Sequence, residues 1–278
     1  MNPRQILEHY DIQPKKSLGQ NFMHDPNMLD KIIATAGVTD QDTVLEIGPG
    51  TGTLTARLAL TAKQVIAVEL DERMYGILFD QFEHSTKIRL VLQDILRTDI
   101  AGLMGDQPYI VVANVPYYIT SAILQHLLES KHPPRRVTLV MQYEVGERIV
   151  AKPESGDMSL LAVSIQFYGQ PRLVARLNKA LFWPRPEVDS ALMRIDIYDK
   201  PPVDVPSAVA FFRVAKAGFS QKRKQLRNSI SAGLHMTNTE ADVHLRAANI
   251  DPQRRAETLA LEEWAALTRA IAGNKTEG

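Results

Sequence analysis

Asn114, Pro116 and Tyr117 stand almost side by side in "ANVPYYI" (113–119), inside an otherwise apolar, strand-like run. Proline has no amide hydrogen and deletes a ladder hydrogen bond, so a strand tolerates it only at an edge, an end or a bulge. The run thus gathers an amide, a proline-fixed carbonyl and two phenols at one point. Asn114 is an amide, so it can hold a ligand through hydrogen bonds but cannot be a general base. A second group lies upstream in "VLEIGPGTGTLT" (44–55), where Gly48, Gly50 and Gly52 fall between a strand-like run and a helical one. Glycines in that context let a backbone approach a ligand beside free helix N–H groups. A dinucleotide fingerprint would need glycine at Thr53, and Pro49 removes a donor, so a pyrophosphate cradle is disfavoured. The G-x-G-x-G turn behind Glu46 suits a nucleoside without a phosphate, as in S-adenosylmethionine. Glu69 closes the next strand, where a carboxylate takes ribose hydroxyls, and Asp94 closes the third, where it can accept from an adenine amino group. Singly, each feature is equally a tight turn or a helix cap. In this order, on successive strands, they point to one crevice.

The elements around them alternate. "TVLEIG", "QVIAVEL", "IRLVLQD", "YIVVAN" and "VTLVMQYEV" read as strands, and "TLTARLALTA", "ERMYGILFDQF" and "SAILQHLLES" as helices. Near-continuous apolar strands alternating with helices predict a doubly wound, mostly parallel α/β sheet of Rossmann-like type. Two further strand-like runs flank "ALFWPRPEVDS" and fit an antiparallel edge. Residues 1–24 read as polar and irregular, and Asp25-Pro26 as an N-cap and first turn of a helix ending at Gly37. "YDKPPVDVPS" (198–207) breaks the pattern, and short helical runs follow it. The expected division is a large domain over 1–200, opening on the polar segment 1–24, and a small all-α domain over 201–278.

Bulk composition narrows the classes. The 278 residues contain no cysteine, which removes disulfides, thiolate zinc sites and cysteine nucleophiles and fits a reducing, cytoplasmic setting. The seven histidines show no H-x3-H or HExxH spacing, so no metal is expected. No secretory signal or membrane span is expected. The net charge of zero leaves local clusters as the only hint of nucleic acid.

The motifs also occur in a specific order: "KKSLGQNFMHD", "EIGPGTGTLT", "VELD", "QDIL", "ANVPYYI", "QYEVGERI", "FWPRPEVDSA" and "FSQKRKQLRNS". In that order the chain resembles the ribosomal RNA adenine N6-dimethyltransferases, above all the KsgA/RsmA family acting on small-subunit (16S) rRNA. The resemblance implies a class I S-adenosylmethionine-dependent methyltransferase fold, with a catalytic domain over 1–200 in which 1–24 is a loop serving cofactor and RNA, and a helical RNA-binding domain over 201–278. It implies dimethylation of N6 on two adjacent adenosines near the 3′ end of 16S rRNA in a 30S precursor, by a monomer. It assigns Asn21, the Met23 backbone, Gly48, Gly50, Glu69, Asp94 and Asn114 to the cofactor. Asn114 and the Pro116 carbonyl would accept from the target amine, with Tyr117 stacking on one face of the flipped base and Phe182 on the other. Core packing is the competing role for Phe182, with Trp183 as the open ring instead.

Lys222, Arg223, Lys224 and Arg227 are expected to meet RNA phosphate from the start of a helix, with Lys15, Lys16, Lys131, Arg135 and Arg136 as weaker candidates. The family usually reads N-L-P-Y-N-I, whereas this chain has Val115 and Tyr118, and "GDMSLLAV" lacks a customary tyrosine and glycine. A second phenol at 118 has no assigned role. Two alternatives stay open: a 23S rRNA adenine N6-methylase of the macrolide-resistance type, and a non-catalytic ribosome assembly factor. An NAD-dependent oxidoreductase is disfavoured by Thr53 and Pro49.

Overall fold

The computed structural model describes residues 2–221 and 223–273, so Lys222 lies outside the described residues. The strands are β1 (Phe22–Met23), β2 (Thr43–Ile47), β3 (Gln64–Glu69), β4 (Ile88–Leu92), β5 (Tyr109–Asn114), β6 (Arg136–Gln142), β7 (Gly169–Leu177), β8 (Phe182–Trp183) and β9 (Ser190–Ile197). Seven of them form one sheet in the order β4-β3-β2-β5-β6-β9-β7, and β1 pairs with β8 separately. The pairs from β4 to β6 are parallel, while β9 runs antiparallel to β6. Strands β2 and β5 are buried along nearly their whole length, which is why they read as unbroken apolar runs.

Strand β2 has β3 on one side and β5 on the other, so the chain winds outward in both directions from it. Ligands of open α/β sheets bind beyond the strand C-termini at such a reversal. Register fixes what meets there: Ile47 pairs with Val68 on one side and Ala113 on the other. The glycine turn after β2, Glu69 at the end of β3 and Asn114 at the end of β5 therefore emerge together.

The helices of the N-terminal part are α1 (Pro3–His9), α2 (Pro26–Ala36), α3 (Thr53–Thr61), α4 (Glu72–Phe82), α5 (Ile100–Met104) and α6 (Thr120–Leu128). Asp25 caps α2 through Met28 N at 2.8 Å, and Gly37 closes it in the left-handed region. Residues 1–24 are not uniformly irregular. Asn2 and Gln5 form a capping box that starts α1, and Ile6 and Leu7 bury against Phe22, Met74 and Ile77.

After α7 (Tyr143–Ile149) come α8 (Leu160–Tyr168), α9 (Ala208–Phe219), α10 (Leu226–Leu234), α11 (Asn238–Ala247) and α12 (Leu261–Gly273). The chain divides into two units, one of residues 1–146 with 171–197, the other of 147–170 with 198–278. The third crossing between them, at 197/198, lies next to the boundary expected near 200. Residues 147–170, expected in the catalytic domain, belong to the helical unit. Their apolar side chains explain this: Ala162, Val163 and Phe167 enter that unit's core, where Phe167 stacks on Phe211 at 4.5 Å between ring centroids.

Candidate active site

A cavity opens at the C-terminal ends of β2, β3 and β5. Its walls include Asn21, Gly48, Gly50, Glu69, Asp94 and Asn114, together with Pro116 and Tyr117. Residues far apart in sequence thus converge as the motifs predict. Gly48 and Gly50 both have positive φ, at 66° and 58°. At Gly50 a side chain is barred twice, because a Cβ there would lie 2.7 Å from Cε1 of the Phe22 ring. The Gly50 amide donates to Glu69 Oε2 at 3.1 Å, while the Leu70 and Asp71 amides donate to Oε1 at 2.8 Å. Burial raises the Glu69 pKa, and these three donors pull it back. A carboxylate offers about four lone-pair positions, so three backbone bonds fix Glu69 in place and leave room for a further donor such as a ribose hydroxyl.

Asp94 is both a cap and a cavity residue. Its Oδ1 accepts from Leu96 N at 2.9 Å, so the capping role is real, while among the described residues Oδ2 has only the Arg97 guanidinium, at 3.8 Å. Glu46 behaves differently from its neighbours: it is buried behind the turn rather than on the cavity wall, and burial raises its pKa to about 8. Burial thus favours its neutral form, and its Oε2 has no partner among the described residues.

The roof is the N-terminal loop. Asn114 Nδ2 donates to the Asn21 carbonyl at 2.9 Å, which leaves Oδ1 as the acceptor end of the amide. Gln20 spans two segments, its Nε2 donating to Asp71 Oδ2 at 2.9 Å and its Oε1 accepting from Lys15 N at 2.8 Å. Burial alone would raise the Asp71 carboxyl, but hydrogen bonds from Arg73 and Gln20 hold it below the usual range. Leu18, Gly19, Gln20 and Phe22 also line the cavity, although the sequence motifs assigned only Asn21 and Met23. Met23 is not among the lining residues; it is buried, and its backbone pairs with Phe182 across β1 and β8.

That pairing corrects the assignment of Phe182. The residue is 3% exposed and packs in the core that contains Met23 and Leu192, so it offers no open face to a base. Trp183 does not replace it, since it packs against the Ile6 and Phe22 cluster. Tyr117 does line the cavity, with its hydroxyl 2.6 Å from Ser190 Oγ. Burial raises its pKa, so the phenol is neutral at physiological pH.

The Pro116 carbonyl also departs from its expected use. It accepts from Ile119 N and Thr120 Oγ1, both at 3.3 Å, so its two lone pairs serve the turn into α6. The carbonyl of cavity-lining Val115 accepts nothing among the described residues.

The expected phosphate contacts divide as well. Arg223 and Lys224 are exposed in the turn before α10, not in the helix. Arg227 is on α10, but its guanidinium is held by Asp242 at 3.0 Å. Arg135 pairs with Asp42, and Arg136 with Asp196 at 2.7 Å, so both serve the fold.

The pattern of the family described as ribosomal RNA adenine dimethylase matches residues 12–272. The chain belongs to this family. A "Ribosomal RNA small subunit methyltransferase A" of Dehalococcoides mccartyi (strain CBDB1) is 44% identical over 272 residues, spanning 98% of this chain and 93% of the relative. The same name attaches to a Bacillus licheniformis protein at 40% identity, spanning 95% and 94%. Among solved structures, the 23S rRNA methyltransferase ErmE is 26% identical, with TM-score 0.71 over 91% of this chain and all of that one. A dimethyladenosine transferase from Plasmodium falciparum shares the fold at TM-score 0.75 and 23% identity, covering 91% of this chain and 98% of that one. The backbone turn at Gly48–Gly50 and the carboxylates of Glu69 and Asp94, gathered in this cavity, fit a nucleoside-bearing cofactor such as the S-adenosylmethionine of a methyltransferase.

Proposed function

We propose that this chain dimethylates N6 of two adjacent adenosines near the 3′ end of 16S rRNA, within a 30S precursor and in the cytoplasm, as a monomer using S-adenosylmethionine. The observation that carries this reading is the pairing of Asn114 with the glycine turn and Glu69 in one cavity, in a chain of the adenine dimethylase family. The names of the bacterial relatives favour the small subunit as the source of RNA. Bound S-adenosylmethionine supplies a methyl group on a sulfonium, open to in-line displacement. Glu69 and Asp94 would hold its ribose and adenine, with the Gly48–Gly50 backbone beneath.

The chemical difficulty lies in the substrate. The N6 lone pair of adenine is delocalised into the ring, which makes the amine a poor nucleophile. A hydrogen bond from one N6 proton to Asn114 Oδ1 favours a pyramidal nitrogen with a freer lone pair. The Asn21 carbonyl fixes that amide, so no reorganisation is needed at the moment of transfer. With the Pro116 carbonyl engaged, the Val115 carbonyl is the second acceptor available. The N6 nitrogen gains the methyl group and releases a proton to water, since no amide can retain it. Tyr117, its ring fixed through Ser190, supplies the stacking face for a base drawn out of its helix. Positioning and electrostatics carry the rate.

The test is methyl transfer from labelled S-adenosylmethionine to 30S precursors, 50S particles and naked RNA, with N6-methylated adenines mapped. Two adjacent dimethyladenosines near the 3′ end of 16S rRNA are expected. Asn114→Ala should lower turnover roughly 10²–10³-fold while sparing cofactor affinity. Label confined to 23S rRNA would reassign the chain to the large-subunit methylases. Cofactor binding without any transfer would leave an assembly factor.

A further inference from the structure

Tyr118 is the one aromatic residue of "NVPYY" that the chemistry above does not use. The residue is 63% exposed, and among the described residues it is the only exposed aromatic that lines the cavity. It sits against the roof: a Cβ at Gly19 would lie 3.4 Å from Tyr118 Cε1 and 3.0 Å from Pro116 Cβ. Its hydroxyl has no hydrogen-bond partner among the described residues, so the phenol is not held there for a polar contact within the fold. A large ring left mostly in water at the mouth of a cavity forgoes the burial that usually places aromatic side chains.

Tyr117 and Tyr118 are consecutive in the 3-10 turn Tyr117–Ile119. Such a turn has 3.0 residues per revolution, so neighbouring side chains diverge by about 120°. The two rings cannot sandwich one base. Tyr117 is half-buried with its hydroxyl held on Ser190, whereas Tyr118 stands at the rim. Extrusion of one nucleotide also strips its neighbour of a stacking partner, and an aromatic ring can take that place regardless of base identity.

We propose that Tyr118 is an RNA contact that stacks on the nucleobase adjoining the target adenine, holding the strand at the rim while Tyr117 takes the flipped base. This rests on the functional reading above and adds to it the second nucleotide of the substrate. A ring at the rim would hold the strand equally well when either of two adjacent adenosines is the target.

The test uses the full chain, undermethylated 30S subunits and labelled S-adenosylmethionine, comparing Tyr118→Ala and Tyr118→Phe with the unaltered protein. Tyr118→Ala should lower kcat/KM for the RNA about tenfold or more, through KM, because a base stack contributes on that scale. Its dissociation constant for S-adenosylmethionine, measured by calorimetry without RNA, should stay within about twofold. Tyr118→Phe should behave as the unaltered protein, since stacking needs the ring and not the hydroxyl. Unchanged kcat/KM in Tyr118→Ala would overturn the proposal. So would a parallel loss of cofactor affinity, which would make Tyr118 a prop for the Gly19 loop. Failure of the unaltered protein to methylate any adenine would instead bring down the functional reading, and this contact with it.

Discussion

At the residue scale, Glu46 and Glu69 show how two carboxylates one strand apart take different roles. Glu69 receives three backbone donors at the cavity wall, whereas Glu46 is buried with an orphaned oxygen and a pKa raised by burial to about 8. Its ordinary value is 4.5. The folded state therefore binds one more proton than the unfolded chain between those values, and stability falls as pH rises through that window. Below it Glu46 is neutral in both states, and above it the loss is complete. Glu46→Gln keeps a neutral side chain of the same shape. Melting temperatures from pH 4 to 9 should show the variant gaining on the parent as pH rises, with the gap levelling off above about pH 8. A gap independent of pH would mean that Glu46 ionises normally. From the sequence Glu46 looked like part of the cofactor turn, because its spacing from Gly48 is visible but its depth is not. Phe182 was obscured for the same reason: its burial depends on pairing with Met23, from a segment far away in the chain.

At the element scale, the strands from β2 to β6 were legible because parallel, doubly covered strands write their burial into unbroken apolar runs. The roof over the cavity was less so. Its contacts are single hydrogen bonds from loop residues, such as Gln20 to Asp71, and these leave no periodicity. Phe22 was missed although it packs directly on the glycine turn. That contact makes Gly50→Ala a test of how loop and turn are joined. The new residue needs a left-handed φ, which costs roughly 1–2 kcal/mol, and must push Phe22 aside. Urea denaturation should show a loss of about 1–3 kcal/mol, and S-adenosylmethionine affinity should fall more than tenfold as the roof shifts. Adding Phe22→Ala should recover part of the alanine's own cost, since it removes the clash but not the strained φ. Strict additivity of the two losses would mean that Phe22 and Gly50 do not act on each other.

At the scale of the whole molecule, the chain passes between its two units three times, at 146/147, 170/171 and 197/198. Only the last crossing is marked in the sequence, by the prolines after Tyr198, whereas α8 simply reads as an apolar run. Charge follows a similar rule. A net charge of zero conceals cations whose functions differ by what faces them. Arg223 and Lys224 are exposed before α10, while Arg227 is neutralised by Asp242 on α11. Release of counterions scales with the phosphates a protein neutralises, about 0.7–0.9 per contact in the slope of log K against log salt. If the turn before α10 meets RNA, replacing Arg223 and Lys224 with Ala should reduce that slope by about 1.4–1.8 in filter binding to 30S precursors. Arg227→Ala should leave the slope nearly unchanged and lower stability by up to about 1 kcal/mol, because the partly buried Asp242 loses its partner. An unchanged slope in the double variant would remove the turn from the interface. A drop of about 0.7–0.9 in Arg227→Ala would mean that RNA phosphate displaces Asp242, and that the ion pair is exchanged on binding.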